Sequence, residues 1–499
     1  MKRSSGILMP ISSLPSPYGI GTLGKEAYNF IDFLVKAEQS YWQMLPIGPT
    51  SYGDSPYQSF SSVAGNPYFV DLDLLVKDGL LQKKDLNGLK PANEEVVDYG
   101  QIYNSRFLIL RKAYNNVTES IREAFNIFKW ENPWVNDYSL FMALKKHFNN
   151  KSWIEWPDRG ARMRDNDTLN RYREELKDDV DFYAFIQYLF FKQFNELKEY
   201  ARKNGIKLIG DIPIYVPLDS CDVWTAPECF QLDSENIPTA VAGVPPDYFS
   251  ADGQLWGNPL YNWDYMKSNG YKWWIERVSA TSAIFDVVRI DHFRGFDSYW
   301  SVPYGEKTAR NGKWIKGPGM EFVGVLKNWF YNVEFIAEDL GYHTESVQKL
   351  LDDSTFPGMK VMQFAFDARE ASDHAPHTHT VNSICYLGTH DNSTCIGWKK
   401  AVDKKDLQFA MTYLNIHEDD EFEWAMTAAG MRSVAKLFVG CMWDYLGLDD
   451  SCRMNIPGTL GCNWKWRIPK GSFTSALAKR IAKMTLMYGR GREKREGAL

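Results

Sequence analysis

The chain has 499 residues, and its formal net charge of −6 from 57 basic and 63 acidic side chains offers no broad attraction to a phosphate backbone, so nucleic acid is excluded as the main partner. A hydrophobic fraction of 44% supports a sizeable core, while aromatics at 15%, with 18 Trp and 27 Tyr, exceed what packing alone usually uses and suit flat, partly apolar ligands such as sugar rings. The seven cysteines, odd in number and without a C-x-x-C pair, argue against structural zinc or a disulfide scaffold and for a reducing compartment.

Near the start, the apolar run "GILMPI" is broken by Pro10, and Pro15 and Pro17 follow, which leaves no signal-peptide core. No run approaches the roughly 18 apolar residues of a membrane span. A soluble, cytoplasmic protein with no membrane partner is the expectation. The first strand, in "SGILMPISS", precedes Gly19, Gly21 and Gly24, whose G-x-G-x-x-G spacing is that of a dinucleotide-binding turn. Context rejects that reading. The loop before Gly19 is far too long for such a turn, and "YWQMLPIGPT", where the second strand should end in a ribose-binding acid, offers Pro46, Ile47 and Gly48. The glycines read instead as a flexible βα loop, with glycine for unusual backbone angles and Thr22 as a helix cap.

Further buried strands are expected in "YWQMLPIGP", "IKLIGDIPIYV", "AIFDVVRIDHF", "VEFIAEDLG", "MKVMQFAFD" and "SICYLGTHDN", with an eighth around Ser451 to Ile456. Helical patterns such as "GKEAYNFIDFLVKAEQ" and "SNGYKWWIERVSATS" separate them, which implies an α/β protein with a parallel sheet closed into a (β/α)8 barrel. A simple barrel needs roughly 250 residues, so large inserted subdomains are expected. One, mainly helical, spans about 73–200, where Phe182, Phe185, Ile186, Leu189, Phe190, Phe194 and Leu197 make one apolar stripe. The other, about 217–264, is rich in Pro, Gly and aromatics and reads as a long structured loop over an active site. The basic end "GRGREKREG" reads as a solvated tail.

Four strands end in acids: Asp211 in "LIGDIP", Asp291 in "VVRIDHF", Glu338 and Asp339 in "FIAEDLG", and Asp391 in "YLGTHDN". Parallel barrel strands all finish on the face where barrel enzymes keep their chemistry. One such acid is usually a cap or a salt-bridge partner. Four together, with Arg289 and His390, are costly unless they serve a purpose. Side chains two apart on a strand share a face, so Arg289 would hold Asp291 ionised as a nucleophile requires. A metal is disfavoured, because that cation would oppose another and no dense Asp/Asn calcium loop is present. Glycosidic bond chemistry, with one attacking carboxylate and one protonated acid, fits better. The pattern leaves open which acid does which, and whether Glu338 or Asp339 points inward.

The blocks "SSLPSPYGIGTLG", "YGDSPYQSFSSVAGNP", "GDIPIYV", "GVPPDYFSADGQLWGNPLYNW", "RIDHFRG", "AEDLG", "GTHDN" and "NIPGTLGCNWKWR" together resemble the 4-alpha-glucanotransferases, or amylomaltases, relatives of the alpha-amylases, in order from Ser4 to Arg467. The resemblance implies a (β/α)8 barrel, no cofactor and transfer of α-1,4-glucan segments between maltooligosaccharides, with glucose as acceptor or product. It implies Asp291 as nucleophile, Glu338 as general acid/base and Asp391 as the third carboxylate, which binds and distorts the sugar. Arg289, His390, Tyr57 and Asp211 are implied sugar contacts, with Ser55 and Asn463 as weaker ones. Asp247, Tyr248, Phe249, Gln254 and Trp256 are implied to face the glucan from a mobile loop, and Tyr52 resembles a position lining a second glucan surface. Net retention would call for carboxyl groups about 5 to 5.5 Å apart. A plain α-glucan hydrolase with the same acids, and a non-catalytic glucan-binding scaffold, are the competing readings.

Overall fold

The computed structural model describes residues 1–51, 53–246, 250–342, 344–417 and 420–493. In chain order its strands are β1 (Ser4–Leu8), β2 (Tyr41–Gln43), β3 (Lys207–Ile212), β4 (Ala240–Val244), β5 (Gln254–Pro259), β6 (Val287–Ile290), β7 (Ser298–Pro303), β8 (Lys313–Lys316), β9 (Glu334–Ala337), β10 (Gly358–Val361), β11 (Ser383–Tyr386) and β12 (Leu437–Cys441). Eight of them make one sheet in the order β10-β11-β12-β1-β2-β3-β6-β9, paired in parallel throughout. The sheet closes on itself where Ala337 N donates to Pro357 O at 3.0 Å and Met359 N donates to Asp339 Oδ1 at 2.7 Å. The result is a (β/α)8 barrel. Its strands are almost wholly buried, as parallel strands covered on both faces must be.

Seven of the barrel strands lie in the seven apolar runs read from the sequence. The eighth is β12, at Leu437–Cys441, whereas 450–456 holds a short 3₁₀ turn and irregular chain. The run "LFVGC" sits between the helix Phe422–Arg432 and the helical turn Met442–Tyr445, so its apolar residues merge with theirs and no separate period stands out.

Of the opening glycines, Gly19 has φ +84°, but Gly21 and Gly24 are required by close approach. A Cβ on Gly21 would strike the Ile11 carbonyl, and one on Gly24 the Asp71 carboxylate. Thr22 does not cap the following helix, α1 (Lys25–Lys36), whose cap is Gly24; its hydroxyl donates to Asp71 Oδ2 at 2.6 Å.

Between β2 and β3 the chain forms α2 (Leu72–Lys77), α3 (Tyr99–Asn115), α4 (Glu119–Glu131), α5 (Trp134–His147), α6 (Arg159–Arg162), α7 (Asn166–Glu175) and α8 (Lys177–Lys203). The aromatic stripe of α8 is buried, and two glutamines on the same helix are buried with it. Gln187 accepts from Gly65 N at 2.8 Å and donates to Gly65 O at 2.9 Å, and Gln193 does the same to Asp71 at 2.7 and 3.1 Å. Each side-chain amide thus acts as one rung of a ladder and fastens the segment after β2 to the helix.

Between β3 and β6 lie the short helix Cys221–Thr225 and the pair β4 and β5, which join β7 and β8 in a separate antiparallel sheet ordered β5-β4-β7-β8. The stretch read as a long loop is therefore partly regular, and its sheet is completed by residues that follow β6. At the basic end, Arg490 is buried, donating to the carbonyls of Ser4, Met431, Ser433 and Ala435 at 2.7 to 3.0 Å, so it closes the barrel's foot instead of facing solvent. Among the described residues no helix is long and apolar enough to cross a membrane.

Replacing Gln187 by Leu keeps the volume but strands the Gly65 N–H and C=O, so a stability loss of about 2–4 kcal/mol is expected from two unpaired buried groups. A lowered thermal midpoint checks this, and an unchanged midpoint would show that the pairing is dispensable.

Candidate active site

The site grows from the register of three neighbouring strands. Asp211 of β3 stands opposite Arg289 of β6, and Ile290 of β6 opposite Ala337 of β9. Asp291 and Glu338 are each one residue past that last pair. Adjacent strands lie about 4.8 Å apart, so the two carboxylates leave the sheet side by side.

Arg289 Nη1 donates to Asp211 Oδ1 and Oδ2, both at 2.7 Å, and to Asp291 Oδ1 at 2.9 Å. The side chains of Asp211 and Arg289 are 1% and 4% exposed, whereas that of Asp291 is 28% exposed. The first two therefore sit behind Asp291, which presents a free oxygen to the groove. Asp211 and Arg289, implied sugar contacts by resemblance, here support the nucleophile candidate through these bonds. Tyr57 carries that support sideways. Its hydroxyl donates to Asp211 Oδ2 at 2.8 Å, and its ring stacks on His390 at 4.8 Å between centroids, with Trp464 tilted against both.

His390 Nε2 lies 3.3 Å from Asp391 Oδ1, and Asn455 Nδ2 donates to the same oxygen at 2.6 Å. Arg453 Nη2 donates to the Asp391 backbone carbonyl at 2.6 Å, so the turn bearing this acid is fixed from two directions. Its side chain remains 46% exposed, the most open of the cluster. Sequence reasoning passed over Asn455 and Arg453, although Asn455 opens the quoted block "NIPGTLGCNWKWR" and Arg453 stands two residues before it; only the fold shows which turn they brace.

Glu338 is buried, and it accepts from His292 N through Oε2 and from Leu340 N through Oε1, both at 2.7 Å. Burial raises its pKa, and the Asp291 charge raises it further, against the pull of Arg289 and the two N–H groups. Asp291 is also raised by burial, with Arg289 the main opposing influence and Asp211 adding to the rise. Glu338 rises the further of the two, so a proton shared by the pair resides on Glu338. The carboxylate of Asp339 turns away to Met359 N and serves the barrel seam. This resolves which of the two acids faces the site.

His292 aims its N–H at Glu338 from a left-handed conformation, φ 49° and ψ 47°, uncommon for a residue with a side chain and a mark of functional constraint. Its imidazole packs edge-on against Trp256 at 4.8 Å, and burial, with Arg294 nearby, pushes its pKa down to about 3, so it is neutral. Sequence reasoning missed it although it follows the nucleophile candidate directly.

Trp256 lies on β5, not in a loop; its Nε1 donates to Gln254 Oε1 at 3.2 Å, and its ring meets His292, the residue after Asp291. Ser55 Oγ accepts from Tyr57 N at 3.2 Å, shaping the turn that presents Tyr57. Asn463 is drawn into its own loop: Oδ1 accepts from Ile456 N at 3.1 Å and Nδ2 donates to Thr459 O at 2.9 Å. Tyr52, Asp247, Tyr248 and Phe249 lie outside the described residues.

Comparison with known proteins agrees with this geometry. A family model described as 4-alpha-glucanotransferase matches residues 9–473. A 4-alpha-glucanotransferase of Clostridium butyricum is 48% identical over 97% of this chain and 100% of its own length, and one of Thermus thermophilus is 43% identical over 97% and 98%. Among solved structures, an amylomaltase from Streptococcus agalactiae in complex with acarbose superposes with a TM-score of 0.96 at 43% identity, covering 98% of this chain and all of that one. A barrel whose strand ends gather Asp291, Glu338 and Asp391, in a chain matched over nearly its full length by such relatives, belongs to the 4-alpha-glucanotransferase family.

Proposed function

We propose that this 4-alpha-glucanotransferase cuts an α-1,4-glucan and rejoins the cut segment to another chain by double displacement, with Asp291 as nucleophile and Glu338 as general acid/base. The observation that carries this reading is the neighbouring placement of an Arg-bound, accessible carboxylate and a buried one of raised pKa. Asp291 attacks the anomeric carbon while the Glu338 proton passes to the departing glycosidic oxygen, leaving a β-linked glucosyl enzyme and a chain with a free 4-hydroxyl. Glu338, now ionised, takes the proton of an incoming 4-hydroxyl as that oxygen displaces Asp291. Two inversions restore the α-linkage, and carboxyls projecting from adjacent strands suit the separation of about 5 to 5.5 Å of retaining enzymes.

Asp391, open to the groove and held by Asn455 and His390, suits hydroxyl groups of the sugar at the cleavage point. Tyr57, braced by Asp211 and His390, offers that sugar its ring edge. Transfer prevails over hydrolysis when the intermediate waits in a site screened from water, and the segment carrying Asp247, Tyr248, Phe249, Gln254 and Trp256 is suited to that screening. Maltooligosaccharides are the proposed donors and acceptors, glucose the smallest acceptor. The acarbose-bound relative supports an α-glucan as the occupant.

Incubated with maltotriose, the enzyme should yield glucose and longer oligomers at a constant total of reducing ends; a rising total would mark a hydrolase. Glu338→Gln should lower transfer from maltotriose by about 10²- to 10⁴-fold. It should lower release of fluoride from an α-glucosyl fluoride far less, because that leaving group needs little acid help. Equal losses on both substrates would remove Glu338 from the acid role.

The pH dependence has a definite sign. Asp291 must be ionised, so activity falls as pH drops through its pKa; Glu338 must be protonated, so activity falls again as pH rises through its higher one. Arg289 lowers both. In Arg289→Met the acidic limb of kcat/KM should move to higher pH by about one unit or more. A reduced rate with an unmoved limb would mean that Arg289 only holds the fold.

A further inference from the structure

We propose that Trp314 and Tyr342 form a sugar-stacking platform on the acceptor side of the groove, a subsite for glucan units beyond the cleavage point. The proposal rests on the reading of Glu338 as acid/base.

Arg294 follows Asp291 by three residues and is buried. Its guanidinium joins three segments at the carboxylate end of the barrel. Nη2 donates to Ser298 Oγ of β7 at 3.0 Å, Nη1 donates to the Tyr342 carbonyl at 2.8 Å, and Cζ lies 4.2 Å from the centroid of the Trp314 ring on β8. Both aromatic residues are thereby tied to one cation close to the nucleophile. Trp314 is further oriented by its cross-strand neighbour Trp300, edge to face at 5.3 Å and 70°.

The exposure of these rings is what calls for a ligand. Trp314 remains 39% exposed and Tyr342 70%. Arg294 lies over the indole and Trp300 packs edge to face with it, and the ring keeps that exposed area all the same. β8 is an edge strand of its sheet, a place where an exposed apolar ring is a liability unless it serves a partner. Packing on Arg294 and Trp300 accounts for the covered part of Trp314 and leaves its exposed part, like most of Tyr342, facing solvent.

The side of the groove follows from Glu338. Its Oε1 is held by Leu340 N, two residues before Tyr342, so the acid that protonates the leaving oxygen stands at the root of the loop carrying Tyr342. The chain leaving from that oxygen, or arriving at it, passes over this loop. An α-glucan presents an apolar ring face every unit, which an exposed indole and an exposed phenol, the one packed on Arg294 and the other on a backbone held by it, can accept.

The test varies the acceptor with α-maltosyl fluoride as fixed donor. Trp314→Ala and Tyr342→Ala should each raise the apparent KM for maltotetraose about five- to tenfold, the range of a lost aromatic contact. They should leave the KM for glucose and the kcat within about twofold, since uniform binding enters KM alone. Trp314→Phe should restore most of the effect. Tyr342→Ala removes a solvent-exposed side chain and keeps the fold, so it remains informative if Trp314→Ala is unstable. Equal KM increases for glucose and maltotetraose, a fall in kcat, or no change in either variant would overturn the platform. Failure of the acid/base reading would be seen separately, as Glu338→Gln transferring normally to acceptors of every length.

Discussion

One guanidinium organises this active site. Arg289 reaches both oxygens of Asp211 and one of Asp291 from beneath the groove, in surroundings where each of these charges alone would be strongly disfavoured. Removing one member of a buried charge group leaves the others uncompensated at a cost of about 3–5 kcal/mol, so the three stand or fall together. Their arrangement also divides labour. Asp211 is spent on Arg289 and Tyr57, which leaves Asp291 with an oxygen to spare, and burial, with the Asp291 charge adding to it, pushes the pKa of its neighbour Glu338 up.

The surrounding architecture holds this cluster still. The glutamines of α8 pin the segment that carries Tyr57, and Tyr57 links that segment to both Asp211 and His390. On the other flank, Arg453 and Asn455 hold the turn of Asp391. The strain at His292 belongs to the same scheme, since only that backbone twist sends its N–H to Glu338 while the side chain meets Trp256. Inserted elements and barrel loops thus contribute one contact each to a preorganised set of charges, the condition under which electrostatic stabilisation of a transition state is strongest.

Much of the barrel was legible in the order of residues because buried parallel strands are continuous apolar runs, and seven of the eight stood between recognisable helices. The run at Leu437–Cys441 escaped because apolar helical segments adjoin it on both sides. The convergence of Asp211, Asp291, Glu338 and Asp391 followed from one rule of topology, that parallel barrel strands end on one face. Exposure was not legible: nothing in the pattern tells that Asp211 and Arg289 lie beneath the groove while Asp291 opens into it, because that depends on the long-range partner Tyr57.

The sequence by itself determined the fold class, the family and which acids end the barrel strands, since these rest on local period and on blocks of residues contiguous in the chain. The tertiary structure alone decided which acid of the Glu338–Asp339 pair faces the site, for the choice rests on Met359 N claiming Asp339 across the barrel seam and His292 N claiming Glu338. It also decided that the opening glycines serve close packing against Ile11 and Asp71, and that Arg294 lies over the Trp314 ring while donating to the Tyr342 carbonyl. In each case the deciding contact joins residues distant in the chain or on different elements, and that information exists only once the strands have taken their register.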